Sequence, residues 1–316
     1  MNITTQLTRT HAIFTLISIA IIWGFAGPLI KDATNGLSVG LFLVMRFGVA
    51  LMGLVVVSRQ TLWSRYNSAT LVLAFVVGIF NFVGYATQTI GLQTTTPGKA
   101  SFIIGLSVVF VPLILAMSWR GHRCRERSGG LWTPVALSVV GLACLVGQDL
   151  SLDFRVGDGW MLLSALAYAV QIVLTGRLTK DVSVLSLATI QTTTCLLGSG
   201  VLALAEFPQN PFVPALTALS AHTGFVIVYL GLVAAAGAMV AQTWAQRHIP
   251  ANYAALILCT EPVWGAIAGV LLAGERFTII GLVGCTLMLL GMAWPELHAM
   301  AKSRSRALSV PKCSRQ

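Results

Sequence analysis

Glu261 is the one acid at the midpoint of an otherwise apolar run, Pro250 to Leu272, that is long enough to cross a membrane. An ionised carboxylate in hydrocarbon costs about 2.5–3.5 kcal/mol on insertion scales, so it is kept mainly where it faces a cavity or a partner. Two chemistries suit it. It can bind a cationic or amine group, or it can take up and release a proton as a cavity changes sides. The structural alternative is a protonated acid, hydrogen-bonded to Thr260 or to a neighbouring helix. Arg46 is the one basic residue near the middle of a predicted span. It can counter an anionic substrate, pair with Glu261, or serve as a snorkelling or interhelical arginine.

Amides and aromatics add a second set of candidate substrate contacts. Gln88 lies nine residues before Pro97, and Gln242 lies eight before Pro250, so the two occupy corresponding places in separate stretches. Each amide supplies donors and an acceptor, which suits a shared polar site. Interhelical bonding, worth about 0.6 kcal/mol per bond, is the competing role. Tyr85 precedes Gln88 by three residues and shares its helical face. Tyr168 and Gln171 repeat that spacing, and Asn81 extends the face of Tyr85 by four residues. Trp23 is nearer the middle of its span than the other tryptophans and could form a cavity wall. For Trp23 and Trp264, space-filling is the simpler role. Gly265 and Gly269 give a close-packing stripe beside Glu261.

The elements that must hold these residues are membrane helices. Hydrophobic residues make up 56% of the 316 and charged residues 9%, with a mean hydropathy of +0.83. Soluble domains carry about a quarter charged residues, so this surface faces lipid. A hydrocarbon core of about 30 Å needs about 20 apolar helical residues. Ten spans fit: 11–31, 37–58, 69–91, 98–119, 130–147, 157–176, 182–205, 219–246, 251–272 and 277–294. Turn or charge signals separate them at Thr34 to Gly36, Arg59 to Ser68, Thr96 to Gly98, Arg120 to Gly130 and Pro208 to Pro214. Trp63, Trp119, Trp132, Trp160 and Trp294 fall near span ends, where indole favours the headgroup level. The first span is too long for a signal peptide and lacks its cleavage pattern.

The net charge of +10 is unevenly placed. With the N-terminus inside, cytoplasmic segments hold fifteen Lys and Arg residues and outer segments hold four: Lys31, Lys99, Arg155 and Arg276. This bias predicts both termini in the cytoplasm and a multi-pass protein of the cell membrane, as in a bacterial inner membrane. The basic residues thus orient the chain and give no reason to expect a nucleic-acid partner. From Ala301 the tail has no apolar periodicity and reads as a disordered anchor near anionic lipid.

The chain also repeats itself. Pro97-Gly-Lys-Ala-Ser-Phe-Ile-Ile-Gly-Leu-Ser-Val-Val-Phe-Val-Pro112 and Pro250-Ala-Asn-Tyr-Ala-Ala-Leu-Ile-Leu-Cys-Thr-Glu-Pro262 open matching spans, the fourth and the ninth. Gln88 and Gln242 match the third with the eighth. Leu145-Val146-Gly147 and Leu290-Gly291 match the fifth with the tenth. A period of five helices is odd, so the second half should enter the membrane inverted, as in many secondary transporters with midplane sites. The expected division is 11–147, 157–294 and a basic cytoplasmic tail, 295–316. Pro28, Pro112 and Pro262 are expected to break helices and free backbone carbonyls for a cavity.

These strings carry a family likeness. The chain resembles a ten-helix, EamA-type permease of the drug/metabolite transporter superfamily. The likeness lies in Ile22-Trp-Gly-Phe-Ala-Gly-Pro-Leu-Ile-Lys31, Arg46, Gly91 to Pro112, Gly157 to Ala169, Glu261-Pro262, and Gly274-Glu275-Arg276 with Gly281. It covers about 11–294. One departure is Arg120-Gly-His-Arg-Cys-Arg-Glu-Arg127, where the family often places a glycine–glutamate pair. The smaller four-helix relatives use a first-helix glutamate, and residues 12–30 hold no acid. The resemblance implies an all-α membrane fold and a cavity lined from the first, third, fourth, sixth, eighth and ninth spans. It also implies export of amino acids or related metabolites as the usual role.

No Walker motif or HExxH motif occurs, and no second intramembrane acid forms a dyad with Glu261. The six cysteines are scattered without metal-ligand spacing. The expectation is a non-enzymatic secondary transporter with no cofactor and no metal. Its partners would be a small-molecule substrate, the lipid bilayer and, given one carboxylate, protons; a homo-oligomer stays open. Rival readings are an uptake permease for small amines or carboxylates and a non-transport scaffold or lipid-handling protein. A pore would want rings of charge, which do not occur.

Overall fold

A computed structural model of the chain describes residues 3–34, 37–58, 68–95, 97–118, 132–147, 155–208, 219–273, 276 and 278–308. Trp63, Trp119, the stretch Arg120 to Arg127 and the Gly274-Glu275 pair lie outside the described residues. In hydrocarbon the backbone has no water to bond, so an apolar run must close its hydrogen bonds within itself as helix. Among the described residues every apolar run does so, and no strand occurs.

The first half contains α1 (Ile3–Thr34), α2 (Val39–Ser58), α3 (Ser68–Thr94), α4 (Pro97–Gly105), α5 (Ser107–Ser118) and α6 (Trp132–Val146). The second contains α7 (Val156–Leu178), α8 (Val184–Glu206) and α9 (Ala221–Gly231), which runs through a π-helical segment (Leu232–Gly237) into α10 (Ala238–Gln246). It ends with α11 (Ala251–Leu258), α12 (Glu261–Ala273) and α13 (Ile279–Leu308). Counting stacked helices as one span, nine among the described residues are long and apolar enough to cross a membrane, and α6 is a shorter apolar tenth.

The packing is turned inside out relative to a soluble protein. Phe14, Met52, Val56, Val57, Met117, Val201, Phe225 and Ile279 are exposed, forming a surface that only lipid would solvate. The interior holds small residues together with Arg46, Asn81, Gln171, Gln191 and Gln242. Glycine allows the closest approaches. A Cβ at Gly84 would come within 2.6 Å of the Tyr168 ring, so glycine there lets α3 lie flush on α7, its most extensive partner.

Contacts between the halves are reciprocal. Helix α2 packs on α8 and α6 on α13, each joining corresponding spans. The span α4–α5 packs on α7, and α11–α12 packs in turn on α1. Likewise α3 meets α7 and α8, while α9, the π segment and α10 meet α1 and α2.

The prolines act differently from expectation. Helix α1 continues without interruption through Pro28. A proline removes only one backbone bond, and α1 packs against both α12 and α10. Pro112 lies inside α5, and the break is upstream at Leu106, where Leu106 N bonds Ile103 O in a tightened turn. The ninth span breaks at Cys259-Thr260, just before Glu261-Pro262. There α11 ends at Leu258, four residues before Pro262, whose ring would clash with that carbonyl in a continuous helix. At the other end, α13 extends through Pro295 to Leu308, well into the segment read as a disordered tail. Ala, Met, Lys, Arg and Leu are strong helix formers, so the last span propagates beyond its apolar part.

Candidate functional site

The polar side chains gather along the α3–α7 seam. One face of α3 carries Asn81, Tyr85 and Gln88, and one face of α7 carries Ser164, Tyr168, Gln171 and Thr175, at helical spacings of three and four. The Tyr168 hydroxyl donates to Gln88 Oε1 at 2.7 Å, and the Ser164 hydroxyl donates to Gly84 O at 2.8 Å. The rings of Tyr85 and Tyr168 meet edge to face, 5.6 Å apart.

Arg46 of α2 closes this group from a second side. Its guanidinium carbon lies 4.8 Å from the Tyr85 ring centre and 5.9 Å from that of Phe47. The side chain is only 1% exposed. Among the described residues its Nε and Nη1 have no hydrogen-bond acceptor.

Glu261 approaches from the second half, as the first residue of α12 after the Cys259-Thr260 break. It is half-buried and lies within electrostatic range of both Tyr85 and Tyr168, as does Arg46. Among the described residues, however, it forms no ion pair with Arg46. Nor does Thr260 serve it: that hydroxyl donates to Ile257 O at 2.7 Å and accepts from Trp264 Nε1 at 3.3 Å. The backbone at Glu261 is held by α1. A Cβ on Gly24 would stand 2.8 Å from Glu261 O and 2.7 Å from Gly265 N, so only glycine lets α1 pass this close to the break.

Below this charged and aromatic group lies a chain of amides. Gln242 Nε2 donates to Gln171 Oε1 at 3.4 Å, and Gln171 Nε2 donates to Gln191 Oε1 and Thr175 Oγ1, both at 3.1 Å. Asn81 Nδ2 reaches Gln191 Oε1 at 3.5 Å, and Gln246 Nε2 donates to Ile172 O at 3.1 Å. Gln88 and Gln242, though matched in sequence, therefore join different groups, each bonded to α7 at a different level. Gln191 is the hub that sequence reasoning missed. It stands seven residues into α8, as Arg46 stands seven residues into α2, so a signal lay in the corresponding spans.

Trp23 binds the two halves together by donating from Nε1 to Ala234 O at 2.9 Å. Its acceptor lies in the π segment, where the wider turn realigns backbone carbonyls, a local form often found at functional sites.

Both ends of the bundle carry ion pairs. At the starts of α4 and α7, Lys99 Nζ contacts Asp158 Oδ2 at 2.6 Å. Asp158 also accepts from Thr95 Oγ1 at 2.6 Å and from Arg155 N at 2.8 Å. Asp158 is only 1% exposed. At the other end of the bundle, Arg9 near the start of α1 contacts Glu296 of α13 at 2.6 Å and lies 5.9 Å from the Tyr253 ring centre. Among the described residues no group of His, Cys, Asp and Glu is placed to hold a metal ion.

Comparison with known proteins agrees with this architecture. The family model for the EamA-like transporter family matches residues 10–146 and 155–294. A protein of Archaeoglobus fulgidus named as an uncharacterized transporter is 28% identical over 288 residues, covering 90% of this chain and 85% of its own. A second from the same organism, with the same name, is 24% identical over 276 residues, covering 85% of this chain and 93% of its own. A protein of known crystal structure shares the fold with a TM-score of 0.73 at 14% identity, over 92% of this chain and 99% of that one. With one matched region in each half, and an apolar exterior around a polar seam, the chain belongs to the EamA-like transporter family and is a multi-pass membrane transporter.

Proposed function

We propose that the protein is a secondary transporter that exports amino acids or related small metabolites by alternating access. The observation that carries this reading is the buried group of Arg46, Tyr85, Gln88 and Tyr168, drawn from both halves, with Glu261 in electrostatic range of its tyrosines. Gln171, Gln242 and Trp23 are further solute contacts in this reading. The solute is held where the halves meet, and the halves rock about it.

Several features support rocking. The inter-half contacts exchange into one another when the halves are swapped, as two inverted repeats, 11–147 and 157–294, require. The breaks at Leu106 and Cys259-Thr260 and the π segment supply places to bend. The charge bias of the connections puts both termini, with the basic segment 295–316, in the cytoplasm of a bacterial cell. In that orientation the buried Lys99–Asp158 pair seals the outer end and the Arg9–Glu296 pair lies at the inner one. Glu261 is the proton carrier in this reading, because it is in electrostatic range of Tyr85 and Tyr168 and has no ion-pair partner among the described residues. Export as the direction rests on the family resemblance.

A metabolite comparison of cells with and without the chain tests this proposal. Intracellular depletion and extracellular accumulation of a defined set of amino acids should follow expression and fade with Glu261→Gln. Identical metabolite profiles across all three strains would count against it.

A further inference from the structure

The site holds a cation that forms no ion pair among the described residues. Arg46 is almost fully buried, and two of its three guanidinium nitrogens have no acceptor. The rings of Tyr85 and Phe47 attract the charge through their faces. Neither ring offers an oxygen to those N–H groups. A buried charge left unpaired is strongly destabilising, which favours an arrangement in which a partner arrives from outside.

The missing partner has a definable chemistry. Guanidinium presents a planar fork of donors that fits the two oxygens of a carboxylate or two of a phosphate. A phosphate monoester brings nearly two negative charges at neutral pH. The other buried cation among the described residues, Lys99, is already committed to Asp158. One free positive charge therefore matches one negative charge. Glu261, in range of the same tyrosines, would also repel a second one.

Resting on the transporter reading above, we infer that the transported solute carries a single carboxylate and that Arg46 is the residue that binds it. Purely cationic amines are then poor substrates, because they leave Arg46 unpaired. Tyr85 is the platform that holds the guanidinium plane in place.

Reconstituted full-length protein in liposomes tests this with three matched mixtures: amino acids, their carboxamides and the corresponding decarboxylated amines, with flux read by mass spectrometry. The wild type should move acids in preference to amides and amines. Arg46→Gln should lower acid flux at low concentration by roughly 30-fold or more while amide flux holds or rises. Arg46→Lys should restore part of the acid preference. Because the readout is the acid-to-amide ratio, a variant that still moves amides has folded. Equal acid and amide flux in the wild type, or acid flux indifferent to Arg46→Gln, would overturn the carboxylate assignment and leave the transporter reading standing. Loss of all flux in both Arg46 variants would assign Arg46 a structural role and overturn it too. No flux of any mixture through the wild type would overturn the transporter reading and this inference together.

Discussion

The Tyr168 hydroxyl donates to Gln88 Oε1 at 2.7 Å across the junction of the two five-helix repeats. The bond fixes the edge-to-face contact of Tyr168 with Tyr85, and Tyr85 in turn underlies the Arg46 guanidinium. A hydroxyl and an amide on different halves thus set the geometry of the charged group above them.

Tyr168→Phe removes the donor and leaves a Gln88 oxygen without its partner, at a cost of about 1 kcal/mol. We expect solute affinity to fall roughly 5-fold, with thermal stability in detergent little changed. Gln88→Leu should have a similar effect. The double variant should be no worse than either single one, since both delete the same bond; fully additive losses would show that the residues act separately.

Gly24 is the point where α1 touches the backbone ahead of Pro262. A side chain there would strike Gly265 N and Glu261 O, which are backbone atoms that cannot rotate away. Gly24→Val should lower stability by about 1–3 kcal/mol through overpacking. A Cβ on Gly27 would meet nothing within 4 Å, so Gly27→Ala serves as the neutral control. Thermal unfolding of the two variants, followed side by side in detergent, should separate them clearly.

The Lys99–Asp158 and Arg9–Glu296 ion pairs should differ in worth. Lys99–Asp158 is buried, with side chains 10% and 0% exposed. Asp158→Asn should destabilise by about 3–5 kcal/mol, because it removes the charged partner from a buried ion pair. Replacing both with apolar residues should recover most of that loss. Arg9–Glu296 is about one-third exposed on each side, so breaking it should cost about 0–1 kcal/mol. Equal losses at the two ends would contradict this ranking.

Much of this arrangement is legible in the sequence, for a physical reason. A polar residue inside an apolar span is expensive, so Glu261, Arg46, Gln88, Gln171 and Gln242 announce themselves singly. Their pairing is not encoded locally. Gln191 opens a Gln-Thr-Thr-Thr run that reads as one mildly polar face, yet the threonines bond back to their own helix, leaving Gln191 as the hub. Lys99 and Asp158 each look like interfacial residues until α4 and α7 bring them together. The π segment, Leu232–Gly237, has only small and apolar residues and carries no proline to mark it. Pro28 marks a break that the packing of α1 suppresses, and the helix formers beyond Pro295 carry α13 past the apolar limit.

The most direct test of the central claim is solute flux through reconstituted protein with and without an imposed pH gradient, comparing wild type with Glu261→Gln. The account predicts that the gradient drives net solute movement by the wild type. It predicts that Glu261→Gln loses the gradient dependence while still exchanging solute across the membrane. Gradient-driven movement that persists unchanged in Glu261→Gln would contradict it.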